Sequence, residues 1–235
     1  MKGKVFLIPM IIADETQHAV LPPQVESTIK QCDLFLVENV RTARRFISSL
    51  QLGLAIEELR FESLDKNTSF EDCFELVQPA LEGKSIGVLS ESGCPGVADP
   101  GARLVHMAHQ LNIQVVPLVG PSSILLALMA SGFNGQSFSF HGYLPIDKKE
   151  RALAIRKMEK ESNELDRTQI FMDTPYRNEQ LFQDLMKHLR GDTWLCIAKD
   201  ITGKSELIKS QPIEKWKKQR ISLHKIPVMF LLYAK

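Results

Sequence analysis

The chain has 235 residues, of which 44% are apolar and 24% charged, and its net charge is +1. This is the make-up of a globular protein with one large or two modest domains, and it excludes low-complexity and collagen-like chains. No apolar run approaches the roughly 20 residues of a membrane helix, so no membrane partner is expected.

In chain order, the stretch from Met1 to Glu15 has a short apolar run followed by Asp14 and Glu15, with no small-residue cleavage site. It reads as the first strand of a cytoplasmic protein, not as a signal peptide. "KVFLI" (4–8), "LFLV" (34–37), "SIGVL" (85–89) and "QVVPL" (114–118) read as buried strands. Between them, 24–31, 40–50, 70–82 and 102–111 carry helical spacing, and Ser69 followed by Glu71 and Asp72 marks a helix start. Strand–helix alternation predicts a mostly parallel sheet covered by helices. "PLVGPSS" (117–123) is a break, followed by a helix over 122–131. A strand and turn at 137–145 and a charged helix over 148–161 come next. Strands at 167–173, 193–199, 206–210 and 227–234, with helices near 177–190 and 212–218, predict a mixed second sheet. The fold class is therefore α/β, with an N-terminal domain over 1–118 and a C-terminal domain over 119–235.

Charge separates the same two halves. Residues 1–118 hold 10 Lys and Arg against 15 Asp and Glu; residues 119–235 hold 19 against 13. A basic second half suits an anionic partner, although solvated surface lysines account equally well for any single cluster. Cys32, Cys73, Cys94 and Cys196 form no C-x-x-C pair, so reduced thiols are expected. His106 and His109 share a helix without a third ligand, and no metal site is expected. No G-x-G-x-x-G, phosphate-binding P-loop or G-x-S-x-G motif is present.

The densest local signal is "SESGCPGVADPG" (90–101), which directly follows a predicted strand. Such loops bind ligands at the carboxyl edge of open α/β sheets, and glycines let backbone groups approach closely. The segment resembles the "S-D-A-G-x-P-G-x-x-D-P-G" signature of the tetrapyrrole methylase superfamily. The nearest branch is the ribosomal small-subunit methyltransferase I family, which methylates a cytidine ribose 2′-oxygen. "ENVRTARRFI" (38–47), "VVPLVGPSSILLALMASG" (115–132), "FSFHGYLP" (138–145), "DTPYR" (173–177) and "AKDITGKSE" (198–206) resemble that family's motifs in the same order. Two stretches depart from them: "PMII" (9–12) replaces a Gly-Asn loop, and Gly203 replaces a lysine.

The resemblance implies two α/β domains that bind S-adenosylmethionine in a cleft, a homodimer, and ribosomal RNA or the small ribosomal subunit as partner. Methylation of a tetrapyrrole-like molecule, or cofactor binding without transfer, are the alternatives. Glu91, Gly93, Pro95, Gly96, Val97 and Asp99 are the expected cofactor loop, Asp99 also being placed to cap the next helix. Pro121, Ser122 and Ser123 open a helix whose free N–H groups suit a polar ligand group, or are simply capped by the serines. Leu144 and Pro145 suit the adenine or the core. Pro175 and Tyr176 complete the expected cofactor set. Glu38, Arg41 and Arg177 are the candidate catalytic residues, and Lys199, Asp200 and Glu206 hold family-like positions. An ion pair between Glu38 and Arg41 at i,i+3 is the competing reading. Trp216 within "KWKKQR" (215–220) is placed either to stack on an RNA base or to pack onto its domain.

Overall fold

A computed structural model describes all 235 residues. Contacts divide it into two units, Met1–Ser122 and Ser123–Lys235. The first unit runs β1 (Lys4–Ile8), α1 (Gln17–Val20), α2 (Pro23–Ile29), β2 (Leu34–Val37), α3 (Val40–Ser49), β3 (Phe61–Ser63), α4 (Phe70–Leu81), β4 (Ile86–Leu89), α5 (Gly101–Gln110) and β5 (Gln114–Pro117). Its five strands are ordered β3-β2-β4-β1-β5, all parallel.

Each face of this sheet is covered, because the strands alternate their side chains between two helical layers. Val5, Leu34, Leu36, Ile86 and Val88 pack with α4 and α5. Phe6, Ile8, Phe35, Val37 and Leu89 pack with α2 and α3. Gly87 of β4 lies where a Cβ would meet Ile8 at 2.9 Å and Phe35 at 3.0 Å, so the missing side chain makes room for two large neighbours. α4 starts with a full capping box: Ser69 accepts from Asp72 N–H at 3.0 Å, and the Asp72 carboxylate accepts from Ser69 N–H at 2.9 Å.

Sequence and structure differ at three elements of this unit. β5 was expected to be buried but is an edge strand, and its residues are exposed or half-buried. β3 is three residues long, and α1 is a single turn, both too short to show a period.

The second unit runs α6 (Ser123–Ser131), β6 (Phe138–Tyr143), α7 (Lys148–Leu165), β7 (Thr168–Met172), α8 (Asn178–His188), β8 (Trp194–Lys199), β9 (Leu207–Pro212), α9 (Ile213–Trp216) and β10 (Val228–Tyr233). Its sheet is ordered β6-β7-β10-β8-β9 and is mixed: β6 and β7 are parallel, and the remaining pairs antiparallel. β10 lies at the centre, which explains its unbroken apolar run. Phe171, Leu185, Leu195, Trp216 and Phe230 lie in one core cluster.

Trp216 is 2% exposed, sits edge-on to Phe182, and donates its indole N–H to Leu195 O at 2.9 Å. It therefore belongs to the core and is closed to a stacking base. α9 turns it inward because Ile213, three residues earlier, is fully buried on the same side. Trp216→Ala is expected to cost about 3–5 kcal/mol of unfolding free energy, measured by urea denaturation, because it opens a large cavity and strands a buried acceptor.

Candidate functional site

Three loops meet at the carboxyl edge of the parallel sheet in the first unit. They leave β1 (Pro9–Ile12), β4 (Ser90–Asp99) and β5 (Leu118–Ser122). β1 and β4 are neighbours, yet their onward connections lead to opposite sides, to β2 and to β5. This is a topological switch point, where open α/β sheets present a ligand crevice.

Backbone contacts hold the loops together. Met10 N–H donates to Gly93 O at 2.8 Å, in an isolated antiparallel bridge. Ser92 Oγ donates to Ile11 O at 3.4 Å, and Cys94 Sγ donates to Pro121 O at 3.4 Å. Gly120 lies directly against the Pro9 ring, leaving no space for a Cβ. The altered "PMII" stretch is thus an integral part of the edge: Met10 is buried in the α2/α3 core and Ile11 packs against it.

The Gly/Pro turn is shaped by conformation and by one carboxylate. Gly93 and Gly96 have φ of +69° and +83°, the left-handed region that glycine enters without strain. Ala98 follows at +59°. The Asp99 carboxylate accepts from Gly96 N–H at 2.6 Å and from Gly101 N–H at 2.9 Å. It therefore braces the turn and satisfies an N–H of the first turn of α5 with the same oxygen. No atom lies within 4 Å of a Cβ built at Gly96, so a side chain there meets open space and the obstacle is its positive φ. Val97 is 50% exposed beside it, whereas Gly93 and Pro95 are buried.

Carboxylates line the neighbouring strand ends. Glu38 follows β2, and the nearby Glu91 backbone N–H favours its charged form. Partial burial pushes its carboxyl above the ordinary range, and the charges of Asp99, Glu91 and Asp65 push it the same way. Burial also raises Asp99, against the lowering effect of its two backbone donors. The competing reading, a Glu38–Arg41 ion pair, does not form, and none of these carboxylates is in an ion pair. Arg41 is exposed on α3. The Cys94 thiol is raised by burial and is therefore not an activated thiolate.

Several expected residues lie in the second unit. Ser123 is the first residue of α6, while Pro121 and Ser122 end the β5 loop. Leu144 is buried in the core cluster of its own unit, with Pro145 half-buried beside it. Pro175, Tyr176 and Arg177 follow β7. Arg177 Nε donates to the buried Asp173 at 2.8 Å, so its charge is spoken for. Pro175 O accepts from Lys225 N–H at 3.0 Å, and Tyr176 is 72% exposed, edge-on to His224. In the turn after β8, Asp200 accepts from Ser205 N–H at 2.8 Å and from its hydroxyl. Glu206 accepts from Thr202 N–H at 2.6 Å. A Cβ at Gly203 would strike the Asp200 carboxylate, so a lysine at this position would need Asp200 to turn away from its present contacts with Ser205.

Residues 19–216 match the family of tetrapyrrole (corrin/porphyrin) methylases. The chain belongs to that family. It is 31% identical over 202 residues to a ribosomal RNA small subunit methyltransferase I of Vibrio cholerae, covering 86% of this chain and 65% of the relative. It is 30% identical over 229 residues to the protein of the same name from Buchnera aphidicola of Schizaphis graminum, covering 95% and 75%. The chain thus spans just under two thirds of the Vibrio cholerae protein. A solved diphthine synthase shares the fold, with a TM-score of 0.68 over 98% of this methylase chain and 89% of its own, at 16% identity.

The sequence pointed to Glu38, Glu91 and Asp99 individually. It did not show that Asp65 faces them, or that Pro9 and Gly120 touch; both depend on strand order. Because Glu38 titrates higher folded than unfolded, the folded state binds more protons there. Its contribution to stability therefore falls as pH rises from the ordinary carboxylate value through the raised one. Glu38→Gln removes that penalty. The variant is expected to melt above the wild type at pH 8, with the gain vanishing towards pH 4; an equal shift at both pH values would contradict this electrostatic account.

Proposed function

We propose that the protein is an S-adenosylmethionine-dependent methyltransferase acting on small-subunit ribosomal RNA, at a ribose hydroxyl. The observation that carries the reading is a glycine-spaced, backbone-lined turn at a switch point, beside carboxylates that no cation neutralises. Such a site fits a ligand that is cationic and polar along one edge. S-adenosylmethionine supplies a methyl group already activated on a positively charged sulfonium.

The chain's own residues then have defined tasks. The 93–97 backbone offers N–H and C=O groups at close approach, and Asp99 holds that backbone in shape. Pro121 and Ser122 close the far side of the same loop cluster. In this reading Glu38, raised and negative, attracts the cationic ligand and accepts a proton from the attacking hydroxyl. Alignment of nucleophile and methyl accounts for the remaining acceleration. The names of the relatives support the RNA assignment. The same reading carries the expected homodimer and cytoplasmic location, on family resemblance alone; a monomer by light scattering at about micromolar concentration would remove the dimer.

The deciding experiment incubates the protein with labelled S-adenosylmethionine and small ribosomal subunits from cells lacking it. Label in the RNA supports the reading. Cofactor binding without label in RNA returns the choice to a small-molecule substrate or a binding-only role.

Cofactor affinity is expected near micromolar, about 8 kcal/mol. Gly96→Val should abolish it, because a branched residue resists a φ of +83° and fills the open space above the turn. Affinity should also weaken as pH falls through the raised Glu38 value, since protonation removes a negative charge that favours the cation. Glu38→Gln should flatten that dependence in calorimetry between neutrality and the carboxylate range. Replacing Lys215, Lys217 and Lys218, all exposed, with Gln should weaken RNA binding without changing cofactor affinity.

A further inference from the structure

α3 carries Arg41, Arg44 and Arg45 and contains no Asp or Glu. Their i, i+3, i+4 spacing places the three guanidinium groups on one face. The other face, with Ala43, Phe46 and Ile47, is buried against the sheet. All three arginines are exposed, and none takes part in an ion pair. Arg44 is held over the Phe61 ring, 5.4 Å from its centroid.

This arrangement costs the helix stability. Like charges at i, i+4 repel, and a cation in the first turn opposes the helix dipole. The charged helix α7 is built the other way. There, Lys157 pairs with Glu161 and Lys160 with Glu164, and Arg151 is buried against Asp184 at 2.6 Å. Half of the cations of α7 are thus paired in place, whereas all three of α3 are left for an external anion, within a half of the chain that is net negative.

Position adds the second strand of support. Asn39 caps α3 by accepting from Arg41 N–H at 2.9 Å and Thr42 N–H at 3.2 Å. It follows Glu38 directly, so the arginine stripe begins at the carboxyl edge of the sheet, where the three loops converge, and runs back along the helix. From Arg41 to Arg45 the helix rises about 6 Å, over which a nucleic-acid strand presents about two phosphates.

We propose that the exposed face of α3 is a phosphate-backbone clamp for the substrate RNA strand, with Arg41, Arg44 and Arg45 as its contacts. The inference rests on the RNA reading and adds a surface in the first unit, separate from Lys215, Lys217 and Lys218 in the second.

The test measures binding of unlabelled small-subunit RNA stripped of protein, from about 50 to about 200 mM salt. Arg41→Gln/Arg44→Gln/Arg45→Gln is expected to lose at least about tenfold in affinity and to flatten the log–log salt slope by about 1.4, at about 0.7 for each of two phosphates of a single strand. The corresponding triple Arg→Lys variant should restore the slope, because it keeps the charge. Arg41→Gln/Arg45→Gln spares the Arg44–Phe61 contact and serves if the triple variant melts early. Unchanged slope and affinity in a folded Gln variant, with RNA bound by the wild type, overturn the clamp and leave the RNA reading standing. Loss of binding to whole subunits alone, with stripped RNA bound as before, assigns the face to an acidic ribosomal protein and also overturns it. Absence of salt-dependent RNA binding by the wild type removes the RNA reading and the clamp together.

Discussion

Where the paired strands β1 and β5 end, Gly120 lies against the Pro9 ring, and much of the site depends on that close fit. Leu118 N–H donates to Leu7 O at 3.0 Å, and beyond that bond Pro9 has no backbone N–H to donate and Gly120 no side chain, so the two close by shape. Once they are together, Pro121 O is placed to receive the Cys94 thiol, and Met10 N–H reaches Gly93 O. Three loops from separate parts of the chain then act as one wall. A Cβ at position 120 would force the β5 loop away and release the Gly/Pro turn from its neighbour.

Within that wall, backbone and carboxylate divide the work. Asp99 uses one oxygen to hold two N–H groups and so keeps the turn in a conformation that Gly93 and Gly96 permit. Glu38 is favoured by one backbone N–H and opposed by the charges of three further carboxylates. Such an uncompensated cluster is unfavourable in the free protein. Its persistence makes sense if a cationic ligand relieves it, as strain at functional sites commonly is relieved by binding. The same logic applies to the arginines of α3, with the sign reversed: both groups are costly alone and complementary to a partner.

The second unit shows how charge counting misleads when geometry is unknown. Its excess of cations suggested a broad basic surface for an anionic partner. Arg151 turns out to be a buried clamp on the Pro145 and Ile146 carbonyls, and Arg177 is tied to Asp173. Two α7 lysines are paired along their own helix. Unpaired arginines lie in the acidic half as well, on α3, a helix whose lack of carboxylates is plain in the sequence but whose exposure is not.

By itself, the sequence determined the alternation of strands and helices, the mixed character of the second sheet, the Ser69 cap and the family. These follow from periodicity, capping chemistry and motif order, which are local or carried in register along the chain. It left β3 and α1 unread, because three- and four-residue elements show no period. It also left open whether Trp216 faced solvent, a matter settled only by the Leu195 carbonyl on a strand 21 residues away. Strand order decided the rest. Placing β1 between β4 and β5 brings Met10 to Gly93 and Pro9 to Gly120, and placing β2 beside both β3 and β4 gathers Glu38, Asp65, Glu91 and Asp99. Non-local contacts of this kind arise from packing two faces of one sheet, and no short stretch of sequence encodes them.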